Sequence, residues 1–196
     1  MNPNEQNFEK LISGAIDTNN LACEQRKAGN FAEAEKNFRM ALDYDIKARG
    51  GNHPKIAHRM NNLSVVLIRT GNFSEAKDNL DQAWKIMNFK SDITGFRILF
   101  IRMCLALLND KPFDTYLGQI KTILNSEELK NKAEAGEPWG IDDFIFYISN
   151  KLPEDKALLL QTIFNVHNKK QNLYELNELS LWREQYPESL ETEWNS

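Results

Sequence analysis

The side chains able to do chemistry are few and scattered. Two cysteines (Cys23, Cys104), three histidines (His53, His58, His167) and one adjacent carboxylate pair (Asp142-Asp143) stand in a chain of 196 residues. A metal site needs several His, Cys or carboxylate ligands at close spacing. His53 and His58 are five apart with no further His or Cys at ligand distance, so no metal and no cofactor is expected. Each cysteine falls in an apolar-periodic stretch, which predicts small buried hydrophobes in a reducing compartment and not a disulfide or a nucleophile. His53 precedes Pro54 in a linker, a structural place. Asp142-Asp143 sits where a helix N-cap is wanted. Gly-rich phosphate loops, nucleophile elbows and dinucleotide fingerprints are absent from the sequence, so no catalytic residue is nominated and the chain is read as a non-enzyme.

Asparagine recurs in a way these groups do not. Asn19-Asn20-Leu21 returns as Asn61-Asn62-Leu63, and Gly29-Asn30-Phe31 with Glu33-Ala34 returns as Gly71-Asn72-Phe73 with Glu75-Ala76. Asn37 and Ala41 return as Asn79 and Ala83, every pair 42 positions apart. Repetition at one offset identifies a supersecondary unit that stacks on its copies. Each unit reads as two helices. The first ends at a glycine able to take the left-handed conformation. Phe31 or Phe73 then anchors the turn, and Ala34 or Ala76 allows the second helix to approach closely. Leu21, Val65 and Leu67 recur at helical spacing and are expected to supply the inner stripe.

This pattern resembles the tetratricopeptide repeat. Its 42-residue period and the linker Gly51-Asn52-His53-Pro54-Lys55-Ile56-Ala57 look like the kinesin-light-chain type, with Pro54 opening the next helix where no N–H donor is needed. The resemblance covers about residues 15–88 and implies an all-α fold, a right-handed α-α superhelix with C-terminal capping helices. The expected organisation is a lead-in helix over 1–14, repeats over 15–52 and 53–90, a degenerate third repeat over 91–125, a helical cap over 126–187 and a loose tail over 188–196. In the third unit Phe113 takes the place of Phe31, Lys111 replaces the turn glycine, and Tyr116 replaces the close-packing alanine, which should force its helices apart. Asn131–Gly140 reads as a connection. Helices are expected over 142–151, 154–169 with Pro153 in its first turn, and 172–185. Leu158, Leu159, Ile163 and Val166 are expected to form the apolar face of the middle one.

In a stacked array the first helix of each hairpin lines the concave surface. The resemblance implies that Asn20 and Asn62 reach into that groove and bond the backbone of a bound peptide, an amide being donor and acceptor at once. The alternative is that both merely satisfy neighbouring groups. Arg26, Lys27 and Arg69 lie one turn along, and Arg102 stands at the asparagine place in the third unit. Together they favour an acidic peptide or a C-terminal carboxylate. The clamp of chaperone-binding tetratricopeptide domains wants Lys and Asn where this chain has Asn19 and Cys23, so that partner class is not expected.

Bulk properties agree with a protein-binding module. Apolar residues make 41% and charged residues 27% of the chain, within the globular range. A net charge of −4 gives no footprint for nucleic acid. Residues 1–110 hold 15 Lys and Arg against 13 Asp and Glu, and the remainder 9 against 15. Neither a secretory leader nor a membrane span is evident, so a cytoplasmic location is expected. Two further functions stay open. Trp84, Phe89, Phe96 and Phe100 would drive self-association into a homo-oligomer if an imperfect third repeat left them exposed. A pocket between Trp139 and Trp182 would make the chain a sensor or regulator of a small peptide.

Overall fold

A computed structural model describes residues 2–88, 93–126 and 141–167. Among these residues every regular element is a helix. The chain divides into two compact units, residues 1–90 and 91–196.

The first unit is two helical hairpins. Helix α1, Pro3–Lys27, starts from a capping box: the Asn2 side chain accepts from the Asn4 N–H at 3.1 Å, and the Glu5 carboxylate accepts from the Asn2 N–H at 3.0 Å. The expected lead-in is therefore continuous with the first repeat helix. Its small residues Ala15 and Ala22 are fully buried, and the Gly14 backbone lies against the Tyr44 ring, where a Cβ would come within 3.3 Å. Helix α2, Phe31–Arg49, buries Ala34, Phe38, Ala41 and Asp45, one stripe at helical spacing. Helix α3, Pro54–Arg69, opens as the linker predicts, with the His53 Nδ1 accepting from the Lys55 N–H at 3.1 Å and Pro54 in the first turn. Helix α4, Phe73–Ile86, buries Ala76, Leu80, Ala83 and Trp84 against it.

Both turns close in the same way. Gly29 and Gly71 have φ of 82° and 84°. The N–H of the next residue bonds back five residues, Asn30 to the Gln25 carbonyl and Asn72 to the Leu67 carbonyl, both at 2.8 Å. Nothing lies within 4 Å of a Cβ at either glycine, so the requirement is conformational alone. Gly29→Ala and Gly71→Ala are each expected to cost about 1–2 kcal/mol, read as a lower urea midpoint at unchanged slope. A midpoint equal to wild type would show that the turn tolerates a side chain.

Two polar links hold the hairpins in register. Arg39 of α2 reaches Glu75 of α4 with a second hydrogen bond to Glu35, and this guanidinium holds the Glu75 carboxyl below its usual range. Both partners are well exposed, so the pair contributes orientation more than stability. Asp45 is buried, its two oxygens accepting from Arg49 at 3.0 Å and Arg59 at 2.7 Å.

In the second unit, α5 (Ile93–Leu108) and α6 (Asp114–Leu124) form a third hairpin, and α7 (Asp142–Ser149) pairs with α8 (Glu154–His167). The third turn differs from the sequence alignment. The left-handed residue is Asp110, φ 51°, and not Lys111, whose N–H makes the five-residue bond to the Ala106 carbonyl. The turn is two residues longer between its left-handed residue and the N-cap, so Phe113 becomes the N-cap of α6 and no longer its first residue. Leu117, whose N–H bonds Phe113 O, then takes the place that Ala34 and Ala76 hold, bonded to Asn30 and Asn72. Tyr116 is displaced to the side, half-buried, under the Arg102 guanidinium at 5.0 Å.

Other expectations are corrected by burial and capping. Leu21 is 47% exposed, because the inner stripe of α1 runs through Ala15, Asn19, Ala22 and Arg26 instead. Trp84, Phe96 and Phe100 are buried and offer no apolar surface for self-association. Ile141 is the N-cap of α7 and makes no side-chain cap bond, so Asp142 and Asp143 lie inside the first turn, favourable to the helix dipole. Pro153 precedes α8, its carbonyl accepting from Ala157, and Leu158 is 52% exposed while Leu159, Leu160, Ile163 and Phe164 are buried. Phe89, the expected connection 131–140, the helix over 172–185, the tail and both Trp139 and Trp182 lie outside the described residues.

Candidate functional site

Helices α1 and α3 are the first helices of the two repeats, and the groove of the first unit is the face they share. A hydrogen bond joins them, and a ring contact ties α3 to the start of α2. The Asn62 Nδ2 donates to the Asn19 Oδ1 at 3.0 Å, and the Arg69 guanidinium lies 4.5 Å from the centroid of the Phe31 ring, at the turn where α1 ends. The 42-residue offset pairs Ile16, Asn20, Cys23 and Lys27 of α1 with His58, Asn62, Val65 and Arg69 of α3. Each set runs at helical spacing along one face.

The nominated residues take different places on it. Asn20 is exposed, its amide open to solvent. Asn62 is half-buried and spends its N–H on Asn19, so the two recurrent asparagines are not equivalent: one faces outward and one locks the helices. Lys27 is exposed. Arg69 is half-buried against Phe31. Arg26 is 4% exposed and belongs to the interior of the unit, not to its open surface. Arg102 belongs to the second unit, over Tyr116.

Cys23 lies on the same face, half-buried, with the Asn19 Nδ2 pointing at its sulfur at 3.8 Å. Burial pushes the thiol up from its ordinary value, against the opposing pull of Arg26, Lys27 and Arg59. A thiol so held is protonated at neutral pH and is a poor nucleophile. Cys104 is fully buried and raised further by the same cause. The chemistry available to the face is thus hydrogen bonding, charge and apolar contact.

Sequence reasoning missed Asn19 as the partner that fixes Asn62, and it missed Ile16, 47% exposed on the same face. Asn19 carries a signal, since it recurs at Asn61, but Ile16 does not, because its counterpart is His58. Among the described residues no three or more His, Cys, Asp or Glu gather into a metal-binding group. No helix among them is long and apolar enough to cross a membrane.

The family model described as "Tetratricopeptide repeat" matches residues 17–88, which are the two hairpins just described from the middle of α1 onward. The match names the repeat and not its 42-residue subtype. No curated protein matches the chain.

Proposed function

We propose, for a chain that carries tetratricopeptide repeats at residues 17–88, that its first unit holds an extended peptide along the α1–α3 face. Tetratricopeptide repeats mediate protein–protein interactions and form a non-enzymatic repeat family. The observation that supports the finer reading is the asymmetry of the asparagines. The Asn62–Asn19 bond sets the spacing of the two helices, while Asn20 on the same face keeps both amide groups for a ligand. A side-chain amide bonds a peptide N–H and a carbonyl together, which captures backbone without regard to sequence. Lys27 at the C-terminal end of the face, with Arg69 across from it, favours an acidic residue there. Arg26 acts from below, as part of the wall.

Peptides selected from a random library on the intact chain provide the test, rebound to an Asn20→Ala/Lys27→Glu variant with wild-type circular dichroism. Both positions are exposed, so folding is unaffected. A loss of affinity of about tenfold or more is expected, the worth of one hydrogen bond plus one charge contact. Equal binding to both proteins would remove the groove as the site.

A further inference from the structure

Helix α1 is longer than the repeat requires. By the 42-residue offset Pro54, the first residue of α3, corresponds to Ile12, so Pro3–Leu11 has no counterpart in the second repeat. This extension presents an apolar row to solvent. Phe8 is 45% and Ile16 47% exposed, Ile12 between them is half-buried, and the three are spaced by one helical turn. The next step along that row is Asn20, so the apolar row runs into the groove. A shallow depression follows it, lined by Phe8, Glu9, Ile12, Ser13, Ile16 and Asp17. Its open edge is acidic, and the Ser13 hydroxyl donates to the Asp17 carboxylate at 3.2 Å, which holds that carboxylate at the rim.

We infer that this depression is an anchor subsite of the groove, taking an apolar side chain that has a Lys or Arg beside it in the bound peptide. The inference rests on the groove reading above. Charge complementarity selects the occupant: Glu9 and Asp17 attract a basic neighbour and repel an anionic lipid surface. They also repel a second copy of this chain docked through the same face, because an isologous contact would bring like charges together. The opposite end of the groove is basic at Lys27. From Ile12 to Lys27 is fifteen residues of helix, about 22 Å, a span that about six or seven residues of extended peptide cover. The ligand class is thus a segment with an apolar–basic pair at one end and an acidic residue about six residues away.

The experiment uses a random peptide library on the intact chain, with selected peptides rebound to Phe8→Ser/Ile16→Ser, to Glu9→Lys/Asp17→Lys and to Asn20→Ala/Lys27→Glu. All are surface substitutions, checked by circular dichroism, and sedimentation reports the mass of each protein. The expected peptides carry the apolar–basic pair and the distant acid. They lose about tenfold or more on Phe8→Ser/Ile16→Ser, and Glu9→Lys/Asp17→Lys shifts preference from a basic to an acidic neighbour. Loss on Asn20→Ala/Lys27→Glu alone overturns the anchor subsite and leaves the groove standing. Loss on Phe8→Ser/Ile16→Ser alone keeps the anchor and removes the groove. Selection of no peptide overturns both. A wild-type dimer that Phe8→Ser/Ile16→Ser converts to monomer would show a second copy on this face, and the anchor proposal would fall.

Discussion

Asp45→Ala is expected to destabilise the first unit by about 3–5 kcal/mol, the cost of removing one partner from a buried ion pair. Asp45 is 1% exposed and accepts from two guanidiniums, Arg49 on its own helix and Arg59 on α3. The two arginines would not suffer equally. The Arg49 side chain is 22% exposed and can turn to water, whereas that of Arg59 is 8% exposed and would be left charged in the interior. The loss therefore comes from stranding Arg59 and not from an attraction forgone. It follows that Asp45→Ala with Arg59→Leu should recover a large part of the stability, since two apolar groups make no demand for solvation. Urea unfolding followed by circular dichroism measures both steps. A single-variant loss below about 1 kcal/mol, the range of exposed pairs, would mean that the carboxylate is better hydrated than its burial implies.

That cluster was invisible in the repeat. Asp45 corresponds by offset to Met87, and Arg59 to Asp17, so neither partner recurs. Periodicity reveals what the repeats share, namely the glycine turns and the small residues at the packing face. It is silent on the joint between them. It also overstates equivalence. Asn37 and Asn79 are the same residue at the same place, yet Asn37 donates to Gln25 at 2.7 Å while Gln25 has Leu67 as its counterpart by offset, and the buried Asn79 Nδ2 has no partner. Asn61 repeats Asn19, yet Asn19 bonds Asn62 and Asn61 leaves both amide atoms unpaired.

The candidate site was legible to the same depth. Asn20, nominated from the resemblance, and Lys27, nominated together with Arg26, are both exposed. Arg26, next to Lys27 in sequence, points the other way because one residue of helix turns a side chain by about 100°. Leu21 shows the converse: its counterpart Leu63 is buried, yet Leu21 is 47% exposed, because the buried stripe of α1 runs through Ala15, Asn19, Ala22 and Arg26. In the third turn, two inserted residues moved Tyr116 off the packing face, and no count of identities reveals an insertion before the turn's hydrogen bonds are known.

Phe100→Ala is the substitution expected to damage the second unit most, by about 3–5 kcal/mol. Helix α5 is apolar nearly all round: Phe96, Ile98 to Ile101 and Met103 to Leu107 are all buried, the mark of a helix enclosed by its neighbours. Phe100 is fully buried at its centre. Its ring stacks on Phe96 at 5.9 Å between centroids and an interplanar angle of 25°, and it meets Phe164 of α8 at 6.4 Å. Phe164 comes from far along the chain, so this ring joins the third hairpin to the C-terminal helices inside one unit. Truncation would remove the aromatic contacts and leave a cavity that rigid neighbours on several sides cannot close. Leu158→Ala supplies the control, because Leu158 lies on α8 but is 52% exposed, and its loss should stay within about 0.5 kcal/mol. Hydrogen exchange read by mass spectrometry distinguishes the two. Phe100→Ala should raise exchange through α5 and α8 together, while Leu158→Ala leaves both protected. If Phe100→Ala exposed α5 alone, α8 would be held by other contacts, and the aromatic cluster would not be what unites the unit.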